Sequence, residues 1–266
     1  MSFVRKLETL RKMFFGPLQI KGEEEILKEI ADSKKIIFAT THISGFDVQL
    51  AGLAVGKLLG IVNLVADADL VEGWVNVLYR LGGALGGEEN LLPIHYGGKG
   101  RNKRNSFSPD DFMPIKERLE QEIPIVMAAY LERKRIWHLP NKGGIGAVYL
   151  HQIVPDSLLV PVAVDVLSQR PAAMEGFNLI KTAFLKPAVK IVFCQPLFFE
   201  KIKGIEEFAD LFRKIRNKSI LPPELSQYHQ LRAKLNQCSD ALMMELAKEL
   251  PACKQGVWQE KIIITR

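Results

Sequence analysis

Short apolar runs rich in β-branched residues alternate with longer stretches in which apolar side chains recur every three or four positions. That alternation predicts an α/β chain. Ile36-Ile37-Phe38-Ala39 is short, β-branched and aromatic and reads as a buried strand. Thr40, Thr41, Ser44 and Gly45 then supply turn and cap chemistry before a helix-like segment. Pro124 to Tyr130 and Leu158 to Val164 read as further strands, and Phe112 to Glu122 as a helix. Val48 to Ala66 is apolar enough to suggest a membrane span, but Lys57, Asn63 and the Gly60 break split it. Each resulting piece, a helix and a strand, is shorter than a bilayer. Beyond about Phe199, Ile205 to Arg216 and Pro223 to Leu250 show helical periodicity around the Leu221-Pro222-Pro223 break. Val257 to Thr265 reads as a short closing strand.

The expected fold is therefore a central mixed, largely parallel sheet flanked by helices. It carries an amino-terminal amphipathic helix over residues 1–17, an α/β core over 18–199 and a helical extension packed on the core over 200–266. In the amino-terminal segment, Val4, Leu7, Leu10 and Phe14 fall near one stripe beside Arg5, Lys6, Arg11 and Lys12. An interfacial helix among lipid headgroups and a helix covering the sheet fit this composition equally well. Met1 to Gly16 lacks the apolar core and small-residue cleavage site of a secretory signal, so the mature chain is expected to start there.

With 266 residues, 47% of them hydrophobic, the chain can bury a sizeable core, which excludes a disordered protein. Its three cysteines, Cys194, Cys238 and Cys253, have neither disulfide-framework nor zinc spacing and fit a reducing compartment. Cys238, Met243 and Met244 are expected to pack inward, with no metal ligated and no cofactor bound. The net charge of +6 favours anionic partners, whether membrane, acyl carrier or nucleic acid, and does not choose among them.

The sharpest chemistry lies just after the first buried strand, where His42 and Asp47 stand five positions apart. On a regular helix that spacing separates two side chains by about 140°. A turn running into a first helical turn can instead bring them together, with the carboxylate holding one ring nitrogen and the other free to take a proton from a hydroxyl. The spacing alone is a weak motif. His151 and Asp156 repeat it, but they come after a helix-like run and flank Pro155, which reads as a helix end and a loop without catalytic role.

Wider context singles out the first pair. From about Leu18 to Leu197 the chain resembles the glycerolipid acyltransferase family, which acylates glycerol phosphate and lysophospholipids through a His-x-x-x-x-Asp signature. Ile20-Lys21-Gly22-Glu23-Glu24 resembles the family's short strand and Gly-x-Glu turn, and Ile36 to Asp47 its first motif. Leu64 to Leu70, with Leu78 to Gly83, resembles the strand and helix leading to the second motif. Lys142-Gly143-Gly144 and the apolar helix from Ile145 to Leu150 resemble the lysine-glycine turn and helix that come after the family's third motif. Leu159 to Val164 resembles the proline-containing fourth motif, and Val189 to Leu197 the late strand and its exit.

Two departures mark a divergent member. The second motif's arginine has no counterpart in Leu91-Leu92-Pro93-Ile94-His95-Tyr96-Gly97-Gly98. The third motif's Phe-Pro-Glu-Gly is replaced by Leu131-Glu132-Arg133-Lys134-Arg135, where Glu132 matches only after a slip of about two residues. In the family these two motifs grip the acceptor's phosphate, so the departures put a glycerol-phosphate acceptor in doubt and leave the dyad intact.

The resemblance implies an O-acyltransferase that moves a fatty acyl group from acyl-coenzyme A or an acyl-carrier protein, as co-substrate, to a hydroxyl of a lipid or lysolipid. His42 would be the general base and Asp47 its orienting partner. Backbone groups around Ser44 and Gly45 would assist at the oxyanion. Arg101 or Arg104, in the basic cluster Lys99 to Asn105, would replace the missing arginine on phosphate. Lys142 with Gly143 and Gly144 would hold an anionic group, although a solvated loop and a plain turn fit these segments as well. The cluster is too short and too poor in aromatics for sequence-specific nucleic-acid recognition. Peripheral attachment to the cytoplasmic side of a membrane is the expected location. A non-catalytic lipid- or partner-binding relative, and a hydrolase using the same dyad on water, are the alternatives.

Overall fold

The computed structural model describes residues 3–31, 33–43, 46–67, 90–94, 108–130, 138–167 and 184–264. The chain opens with helix α1 (Phe3–Phe14), strand β1 (Leu18–Lys21), helix α2 (Glu23–Ile30) and strand β2 (Lys35–Thr40). Next come helix α3 (Asp47–Leu59), strand β3 (Asn63–Asp67) and strand β4 (Leu91–Ile94). Helix α4 (Met113–Glu120), strand β5 (Ile125–Ala128), helix α5 (Gly146–Ile153) and the strands β6 (Ser157–Leu167) and β7 (Ala188–Phe193) complete the core. Helices α6 (Phe208–Arg216), α7 (Pro222–Lys248), α8 (Ala252–Gln255) and α9 (Trp258–Ile264) form the extension.

The described strands make one seven-stranded sheet in the order β1-β7-β6-β2-β5-β3-β4. All neighbours run parallel except β6 and β7. The expected mixed, largely parallel sheet between helices is what the structure has. β2 lies at its centre, buried on both faces, as an apolar strand between helical layers must be. Ile36 and Phe38 face the layer that includes α1 and α3, while Ile37 and Ala39 face the layer that includes α4, α5 and α7.

β6 is longer than its neighbours. Its first half pairs with β2 from Ser157 to Val162 and its second half with β7 from Val162 to Leu167, so it overruns the carboxyl end of β2. The stretch read as a split apolar run does divide, into α3 and β3. Gly60 makes the break, capping α3 at φ 79° with its N–H on Gly56 O at 2.9 Å.

The apolar stripe of α1 is used inside the molecule. Leu7 and Phe15 are each 2% exposed, and a Cβ added to Gly56 of α3 would come within 2.7 Å of Val4. Glu8 ties the two helices further through Lys57 of α3 at 3.0 Å, and pairs with Arg11 of its own helix at 2.8 Å. The carboxyl-terminal segment corrects one expectation: where the sequence predicts a closing strand over Val257 to Thr265, the described residues Trp258–Ile264 form helix α9. The β-branched run Ile262-Ile263-Ile264 suggested a strand, but Trp258 and Ile262, four apart, bury one helical face at 0% and 5% exposure. Cys238, Met243 and Met244 pack inward as expected. Among the described residues no helix is long and apolar enough to cross a membrane.

Candidate active site

β2 delivers the site. Its main chain is held on both flanks to the end, with Ala129 N–H donating to Thr40 O at 2.8 Å and Thr41 N–H to Val162 O at 3.3 Å. Thr41 adds a side-chain hook: its Oγ1 donates to Val164 O at 3.2 Å and accepts from Val164 N–H at 3.0 Å, on the overrunning half of β6. His42 is the next residue. It leaves the sheet at the carboxyl end of a central parallel strand, where open α/β sheets present ligand sites.

Asp47 opens α3 and is 1% exposed. A carboxylate in a first helical turn is favoured by the positive end of the helix dipole. Its Oδ2 reaches back to accept the N–H of Ile43 at 2.6 Å, closing the loop that leaves β2. The bond links the first residues beyond β2 to the start of α3, and the carboxylate is held one residue from His42 along the chain. His42 is half-buried, and its Nδ1 is shut off from solvent.

A third group converges here. Tyr130, two residues beyond β5 and 3% exposed, accepts the main-chain N–H of His42 on its hydroxyl at 2.8 Å, with the two rings 6.3 Å apart. Burial first, and the Asp47 carboxylate second, hold its phenol well above the ordinary range, and the His42 N–H offsets only part of this. Sequence reasoning missed Tyr130. It closes an ordinary apolar strand, and a lone aromatic there carries no motif; only the parallel pairing of β5 with β2 brings it to His42.

α1 reaches the site from its other side. Phe46, the residue before Asp47, stacks on Phe14 at 5.7 Å and meets Phe15 edge-on at 5.3 Å. These rings pack the start of α3 against the end of α1.

The remaining candidates fare unevenly. Ser44, Gly45, Arg101, Arg104 and Glu132 lie outside the described residues. Gly143 and Gly144 form a packing joint: a Cβ on Gly143 would stand 2.2 Å from Ser239 Oγ, and one on Gly144 2.9 Å from Tyr130 Cα. Both main-chain polar groups of Gly144 are taken up by the protein. Gly144 N–H donates to Ala129 O at 2.9 Å, and Ser239 Oγ donates to Gly144 O at 2.9 Å. Lys142 beside them is exposed. His151 and Asp156 occupy a helix end and the turn after it, as read; His151 Nδ1 lies 3.1 Å from Ser157 Oγ.

Compared with known proteins, the chain matches no family model and no curated protein.

Proposed function

We propose that the protein is an O-acyltransferase carrying a fatty acyl group from a thioester of coenzyme A or of an acyl-carrier protein to a hydroxyl on a lipid or lysolipid. The observation that carries this reading is the Asp47 carboxylate, buried at the start of α3 and bonded to the main chain of Ile43, the residue after the half-buried His42. Neutral His42 takes the proton of the acceptor hydroxyl through Nε2 as that oxygen attacks the thioester carbonyl. Asp47 orients the ring and stabilises the imidazolium. The tetrahedral intermediate collapses, the thiolate leaves, and the proton held by His42 passes to it. The amino-terminal end of α3 supplies a positive field for the oxyanion. The loss of the family's phosphate-gripping motifs favours an acceptor other than glycerol phosphate, and the net positive charge favours peripheral contact with an anionic membrane.

The test is direct. Purified protein is incubated with a labelled acyl thioester and a panel of lysolipids and lipid alcohols. His42→Ala should lower lipid-product formation about 10²- to 10⁴-fold, the usual worth of a general base, with the fold intact by circular dichroism. Asp47→Asn should fall in the same direction. Free fatty acid as the sole product would indicate hydrolysis, and undiminished turnover in both variants would overturn the mechanism.

A further inference from the structure

The main chain leaving β2 is carried by strand ladders as far as Thr41, and from His42 onward by side chains. The N–H of His42 goes to the Tyr130 hydroxyl at 2.8 Å, and the next N–H, that of Ile43, goes to Asp47 Oδ2 at 2.6 Å. Two consecutive amides are therefore held by groups from two different elements, the end of β5 and the start of α3. A buried N–H requires an acceptor, and an acceptor on an immobile ring also fixes the position of the amide.

The phenol is well braced. Ala129, just before it, is held on one side by Thr40 O and on the other by Gly144 N–H. Gly144 comes so near the Tyr130 main chain that no side chain fits between them. Gly144 is in turn fastened by Ser239 of α7.

The geometry points to Tyr130 as a positioning residue that holds the His42 main chain, and with it the imidazole, for proton transfer. The inference deepens the acyl-transfer reading and rests on it for its kinetic readout alone. Because burial and Asp47 keep the phenol protonated, a neutral oxygen faces the amide while its own proton remains available to a second acceptor.

Tyr130→Phe keeps the ring and removes the acceptor. In the full chain, turnover of an acyl thioester with a lipid alcohol should fall about 10- to 100-fold in kcat, with KM for the thioester changed by less than about twofold. The His42 imidazole titration, followed by NMR, should move by about half a unit or more. Tyr149→Phe removes another buried phenol, packed between Phe112 and Phe208, and should leave both readouts unchanged. Wild-type kcat with an unmoved titration in Tyr130→Phe overturns the proposal. So does a loss of activity that only tracks the folded fraction, since the role would then be merely structural. If the wild-type protein turns over no thioester, the acyl-transfer reading fails, and the His42 titration still decides the role of Tyr130.

Discussion

Thr41 shows how much of the site depends on a single side chain. Its hydroxyl both gives and takes a hydrogen bond with Val164, joining the buried residue just past β2 to the overrunning part of β6. Thr41→Val has nearly the same shape and would leave the Val164 N–H and C=O without that partner. It should cost about 1–3 kcal/mol, read as a lower urea midpoint with an unchanged m-value. His42 and Asp47 are legible in the sequence because a strand, a turn and a helix start succeed one another within a dozen residues. Tyr130 and the Thr41 hook are not legible there. Their partners lie 88 and 123 positions away, and only tertiary pairing selects them. Gly143 and Gly144 read in the sequence as a turn for an anionic group, and what they do in the structure is allow the backbone near Tyr130 and helix α7 to close up.

The carboxyl-terminal helices act as a brace behind that joint. Lys254 of α8 pairs with Asp165 of β6 and donates to Val166 O at 2.9 Å, while its own carbonyl accepts Leu139 N–H at 2.8 Å. Trp258 of α9, fully buried, donates its indole N–H to Pro140 O at 2.7 Å. Together they fasten residues 139–140, which lead into the glycine turn. Asp165 is 4% exposed, so Lys254→Met should strand a buried carboxylate and destabilise the protein by about 3–5 kcal/mol. Asp165→Asn added to Lys254→Met should recover part of that loss, and a thermal-melt double-mutant cycle measures the coupling. Periodicity marks the long helix α7 to within two residues at its end, because its buried positions recur along one face from Tyr228 to Leu246. It fails at α9, where three isoleucines in a row resemble a strand and the deciding contact is a tryptophan four residues upstream of the first. For α1, composition leaves membrane and core equally open; packing on α3 takes up the stripe.

Taken as a whole, the molecule joins two hydrophobic layers across one sheet, and a half-buried histidine links its stability to pH. His151 at the end of α5 has its pKa lowered by burial, with the Ser157 hydrogen bond offsetting only part of this. The unfolded chain therefore binds that proton at a higher pH than the folded one does. The associated stability is complete above the ordinary imidazole value of about 6.5, and is lost as pH falls from there through the lowered folded value. His151→Gln should flatten this loss, visible as a smaller fall in urea midpoint between neutral and mildly acidic buffer. The α/β class can be read from alternating runs, but the strand order cannot. Parallel neighbours come from distant segments, and an apolar strand buried on both faces carries no mark of which strands it will join.

That ordering has a consequence for synthesis. Strand β2 is made early, yet its partners in the two neighbours, β5 and β6, lie 88 and 122 positions later. A ribosome thus releases His42 long before Tyr130, which takes its main-chain N–H, has been made, and long-range pairing of this kind is slow to form. Nascent chains that stop short of residue 125 carry β2 with neither of its sheet neighbours, and the strand is framed on both sides only once β5 and β6 have been made.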